Sequence, residues 1–169
     1  MLIRRERAED VDAIAEVHSA AFAGATDPPV EVGLVTALRA DDGWLPALSL
    51  VAVEDDRVVG HVVCTRAHIA GTPALGLGPL GVLPSLQKSG VGSALMHAVL
   101  GAADALGEQV VVLLGHTDYY PRFGFEPAAR LGIEAPDPAW GAHFQARPLS
   151  TYDSSVRGPF VYARPFSKL

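Results

Sequence analysis

From Arg57 to Ala103 the chain runs for 47 residues without a single Asp or Glu. A soluble protein scatters carboxylates over its solvated faces, so a gap of that length is either mostly interior or surrounds a place where an anion must sit. Only Arg57, Arg66 and Lys88 carry formal charge within it, net +3, whereas residues 1–56 sum to −8 and residues 104–169 to −1, giving −6 for the chain. The stretch from 67 to 87 is uncharged for 21 positions, the length of a membrane span, but Gly71, Pro73, Gly76, Gly78, Pro79, Gly81 and Pro84 interrupt it and no membrane helix survives them.

Apolar periodicity predicts what fills that centre. A short strand at Leu2–Arg5 precedes a helix whose Val11, Ile14, Val17, Ala21 and Phe22 fall at helical spacing, with Glu9 and Asp10 suited to its first turn. A loop over 23–29 leads into a second helix from Val30 to Ala40. Leu48–Val53 and Val58–Thr65 flank a turn at Asp55-Asp56-Arg57 and read as a Val-rich hairpin. A strand from about Leu75 to Leu83, a helix from Val91 to Leu106 stopped by Gly107, and an apolar run at Val110–Leu114 form a strand–helix–strand unit, which places its two strands side by side and parallel. Shorter strands are expected near Gly141–Arg147 and Phe160–Arg164. The fold class is α/β (α+β): one domain over residues 1–169, a mixed, mostly antiparallel sheet with a central parallel pair, and helices on both faces.

With 49% apolar residues there is material for one core, and disorder is excluded. The acidic balance argues against nucleic acid and anionic membrane as partners. Cys64 is the only cysteine and forms no internal disulfide, and the N-terminus turns charged at Arg4 with no apolar signal core, so cytoplasm is expected. No His or Cys spacing suits zinc, and no metal is expected.

Two glycine patterns bear on chemistry. Gln87-Lys88-Ser89-Gly90-Val91-Gly92 lies between a strand and a helix, where glycines let several N–H groups converge at a helix start that favours negative charge. That geometry suits a phosphate, although a strand-to-helix turn can need glycines for shape alone. The literal G-x-G-x-x-G at Gly76–Gly81 lacks the context of a dinucleotide fingerprint: no helix opens at Gly81, Pro79 removes a donor, and no acid follows about twenty residues on.

Leu80-Gly81-Val82-Leu83-Pro84, running into Gln87–Gly92, resembles the hallmark of the GNAT superfamily of acyl-CoA N-acyltransferases. Tyr120-Pro121-Arg122-Phe123-Gly124-Phe125 is similar to a second family motif, Y-x-x-x-G-F, and the order of elements fits over nearly the whole chain. The resemblance implies acetyl-CoA as co-substrate, seated where the parallel strands splay apart. It implies that Leu80, Gly81 and Val82 meet the pantetheine arm, that Gln87, Lys88, Ser89, Gly90, Val91, Gly92 and Ser93 cradle the pyrophosphate, and that the Val82 N–H stabilises the oxyanion. Tyr120 would protonate the leaving thiolate, with Tyr119 its competitor.

The resemblance does not supply a base. An alkyl amine of pKa about 10.4 is protonated at neutral pH, and the Glu that many family members carry on the strands before the glycine loop has no counterpart in 57–103. His61 and His116 are the candidate substitutes, with water relayed to the Asp27–Glu31 loop as another route. The implied acceptor is a small-molecule amine or a peptide N-terminus approaching from the acidic N-terminal third, and a homodimer is possible. The alternative is a protein that binds acyl-CoA without turning it over, as a sensor or interaction module.

Overall fold

The computed structural model describes residues 1–169. Strand β1 (Leu2–Arg5) is followed by helices α1 (Val11–Ala21) and α2 (Val30–Arg39), then by three long strands, β2 (Trp44–Glu54), β3 (Arg57–Ile69) and β4 (Thr72–Val82). Helix α3 (Val91–Ala105) crosses to β5 (Val110–Leu114), and the remainder adds β6 (Glu126–Pro127), β7 (Ile133–Glu134), β8 (Phe144–Pro148) and β9 (Gly158–Val161) between short 3₁₀ turns. The main path of the sheet runs β1-β2-β3-β4-β5-β8-β6, antiparallel except where β4 meets β5.

Strand alternation sorts the helices onto opposite faces. Leu50, Ala52, Val62 and Cys64 pack with Leu95, Met96 and Val99 of α3, while Val51 turns the other way to meet Ile14 of α1 and Val35 of α2. With both faces covered, β2 and β3 are buried along nearly their whole centres and read as continuous apolar runs. A second cluster joins Val110 and Val112 to Ala128, Ile133, Phe144 and Phe160, so the Pro-rich last third closes over the face of β5 that α3 leaves bare.

The parallel pair is brief. Leu75 faces Val111 and Gly76 faces Val112, and no pairing continues beyond them. Between Leu77 and Leu80 the register against β3 slips: Cys64 faces Leu77, but Val62 already faces Leu80, so β4 carries one extra residue around Gly78-Pro79. Such a bulge bends its strand, and β4 leaves β5 from this point. At their open end the hairpin strands extend beyond the apolar runs, to Trp44 and Ile69, where β3 also pairs with β4 and β9 and Ala67 and Ile69 are buried in the second cluster. Two late expectations shift: residues 138–143 are a 3₁₀ turn and the strand starts at Phe144, while residues 164–168 are likewise 3₁₀ and the last strand ends at Val161. Pro138 and Pro165 favour the start of a helical turn, which apolar content alone does not reveal.

Candidate active site

The gap between β4 and β5 is lined by polar backbone. Leu83 N–H donates to Val59 O at 2.9 Å, and His61 faces Gly81 in the same register. Antiparallel ladders alternate, so Gly81 and Leu83 turn their N–H and C=O toward β3, and Leu80 and Val82 turn theirs toward the gap. The Val82 carbonyl accepts from Gln87 Nε2 at 3.1 Å.

At the wide end of the gap the chain makes the glycine turn. Lys88 and Gly90 have positive φ, 62° and 95°, and Gly90 caps α3. The first N–H of α3 to reach back within the turn is that of Ala94, to Gly90 O, so those of Val91, Gly92 and Ser93 come before any helical bond. No acid lies in the first turn of α3. A side chain at Gly92 would stand 3.0 Å from the Tyr119 hydroxyl, so this glycine keeps the turn open beneath that ring. Arg122 donates from Nε to Tyr119 O at 2.9 Å, and its guanidinium lies 4.7 Å from the centre of the Tyr119 ring.

These elements enclose a cleft of about 630 Å³ walled by Ala21, Phe22, Leu80, Gly81, Val82, Gln87, Lys88, Gly90, Gly92, Ser93, His116, Tyr119 and Arg122. A second cavity of about 250 Å³ shares Phe22, Leu80 and His116 with it and adds Glu31, Leu77, Leu113 and Tyr120. Charge is sorted between the two neighbours: Lys88 and Arg122 line the first and Glu31 the second.

The domain family described as "Acetyltransferase (GNAT) domain" matches residues 2–128. This chain belongs to the GNAT family. It is 40% identical over 134 residues to the uncharacterized N-acetyltransferase YjhQ of Escherichia coli K12, covering 76% of this chain and 72% of that protein. With the uncharacterized N-acetyltransferase YhbS of the same strain it shares 32% over 161 residues, 94% of this chain and 92% of the relative. The crystal structure of E. coli YhbS in complex with CoA superposes with a TM-score of 0.88 at 31% identity, covering 98% of this chain and 91% of that one. A GNAT acetyltransferase from Brucella melitensis in complex with acetyl-CoA gives 0.79 at 34%, with 98% and 97% covered.

Within this GNAT fold, the glycine turn, Leu80 to Val82 and His116 come together in one cleft, and Tyr120 lies on the adjoining cavity. Ser89 stands exposed on the turn, and Val91 turns its side chain into the core, leaving only its N–H on the site side. Tyr120 packs edge-on to Tyr119 and Phe125, with Gly115 leaving room for its ring; burial first, then the neighbouring Tyr119, pushes its hydroxyl up to about 12.

His61 does not reach the cleft. It is fully buried and both ring nitrogens are engaged, Nδ1 with His18 Nε2 at 2.8 Å and Nε2 with Ser49 Oγ at 2.8 Å. The Ser49 hydroxyl donates to Glu6 Oε1 at 2.6 Å, and Glu6 Oε2 accepts from Arg39 Nε at 3.1 Å. A carboxylate at the end fixes every direction: Ser49 must accept from His61 Nε2–H, and His61 Nδ1 must then accept from His18 Nε2–H. The last lone pair, His18 Nδ1, is buried without a partner, 2.7 Å from where a Gly81 side chain would begin. An apolar strand pattern around His61 gave no sign of a partner 43 residues earlier on α1. Arg122 was likewise missed as a site cation, although it occupies a variable position of the quoted tyrosine motif.

Proposed function

We propose that this protein is an acetyl-CoA-dependent N-acetyltransferase that passes the acetyl group directly to an amine, with both substrates bound together. The observation that carries the reading is the splayed β4–β5 gap, which joins a cationic, glycine-lined end to a carboxylate-bearing one.

The residues present fit the cofactor. The N–H groups of Lys88 through Ser93 would hold the pyrophosphate, with Lys88 and Arg122 adding charge. Leu80 and Val82 would pair with the pantetheine amides as though with an added strand. The Val82 N–H would stabilise the oxyanion formed as the amine attacks. Tyr120 remains protonated across the working pH range, the form needed to donate to the departing thiolate. Tyr119 is the weaker candidate, because its hydroxyl lies over Gly92 at the turn. For proton removal we place His116 at the junction, where it lines both cavities, with Glu31 holding the ammonium from the far side.

Acetyl-CoA titrated by calorimetry should bind the wild type and fail to bind Gly92→Glu, whose side chain would fill the turn. Thiol release over a panel of primary amines should then fall about 10²-fold or more in Tyr120→Phe with acetyl-CoA affinity retained. Binding without turnover on any amine would favour an acyl-CoA sensor, and unchanged binding in Gly92→Glu would defeat the site.

A further inference from the structure

Next to the small cavity lies a third, more open hollow of about 410 Å³, lined by Leu114, Gly115, His116, Ala139, Trp140 and His143. It shares Leu114, Gly115 and His116 as wall residues with the cavity that holds Glu31, so the two hollows lie side by side along the end of β5. Across the two linings Glu31 is the only Asp, Glu, Lys or Arg. Leu114, at the end of β5, is 45% exposed, although the strand residues before it are buried.

The far wall is held in place. The Trp140 ring packs against Phe144, 5.8 Å between centres, and Tyr162, at 6.4 Å. The floor is pinned by Gln145, whose Nε2 donates to Gly115 O at 3.0 Å, and by Gly115 N–H donating to His143 O at 2.9 Å.

This arrangement has one anchor for a cation and, past it, a surface of Leu114, Trp140, His116 and His143 with no second carboxylate and no Lys or Arg. A polyamine would leave a further ammonium against Leu114 without a counter-charge, and an amine carrying a free carboxylate would meet Glu31 with nothing to neutralise it. A flat apolar group would cover Leu114 and lie against the indole. We propose that the acceptor is a singly charged primary amine bearing one aromatic group, an arylalkylamine, with its ammonium at Glu31 and its ring between Leu114 and Trp140. The proposal rests on the acetyltransferase reading above.

Acetylated product is measured by mass spectrometry for wild-type enzyme with acetyl-CoA and, separately, tryptamine, phenethylamine, spermidine and glycylglutamate. The two arylalkylamines should show kcat/KM at least about tenfold above the others. Trp140→Ala should raise the KM for tryptamine about tenfold while the KM for acetyl-CoA stays unchanged. The preference among amines in the wild type decides the matter even if that variant does not fold. Spermidine or glycylglutamate acetylated as well as tryptamine would overturn this inference and leave the acetyltransferase reading standing. No product from any amine, with acetyl-CoA bound, would overturn both.

Discussion

Two imidazoles in contact, both sealed from water, are tolerated only because each carries a single proton and the carboxylate of Glu6 orders the chain behind them. Burial, then the Arg39 charge, lowers His18 to about 4, and burial, His18 and Arg39 hold His61 well below its ordinary range. The unfolded chain takes up these protons near pH 6.5 and the folded one refuses them, so the stability they confer is complete above about 6.5 and is lost as pH falls toward 4. For His18 alone, the interval from 6.5 to about 4 corresponds to roughly 3 kcal/mol. Urea unfolding should therefore show a midpoint that falls steeply between pH 6.5 and 4.5, with a flatter profile in His18→Gln, which keeps a donor for His61. Gly81→Ala tests the same contact from the other side, since its methyl group would start 2.7 Å from His18 Nδ1. A loss of about 1–3 kcal/mol is expected by the same measurement.

At the scale of elements, the Arg66 guanidinium reaches from β3 to Glu108 just before β5, with Nη1 and Nη2 donating at 2.9 and 2.6 Å, and Nη1 also donates to Ala74 O on β4. The pair bridges strands at the closed end of the gap, where β4 and β5 still touch. Glu108→Gln should cost about 1.5–3 kcal/mol in chemical denaturation, the worth of charge-assisted hydrogen bonds that are partly shielded from water. The helices and the crossover were legible in the sequence because their patterns are local: the apolar spacing of α1, the Gly107 stop after α3 and the run at Val110–Leu114 all report on neighbours a few residues away. The bulge at Gly78-Pro79 was not, since it is a difference in register between two strands and neither shows it alone. The two-residue strands β6 and β7 left no signal, being too short to alternate. The glycine turn and Tyr120 were readable as motifs. The His18–His61–Ser49–Glu6 chain depends on three elements meeting, which no single segment records. Gly76 and Gly81, first weighed as a possible fingerprint, are glycines because Tyr162 and His18 occupy the room their side chains would need.

The molecule as a whole carries −6, yet its cleft has a cationic end. Of the three cations in the carboxylate-free stretch, Arg66 is consumed by Glu108, Arg57 lies exposed on the hairpin turn, and Lys88 alone lines the cleft, joined by Arg122 from outside that stretch. Arg122→Ala should weaken acetyl-CoA binding about tenfold by calorimetry, and the wild-type affinity should fall as salt rises. The bend in β4 has a further kinetic consequence. It sets the glycine turn and Glu31 on the walls of two neighbouring cavities, so the cofactor and the amine are given separate spaces that meet at Phe22, Leu80 and His116. Addition in either order is expected, and a dead-end cofactor analogue such as desulfo-CoA, which lacks the sulfur that carries the acetyl group, should lower Vmax for the amine without behaving as its competitor. With separate spaces, the acetylated amine is expected to depart while the spent thiol is still in its seat.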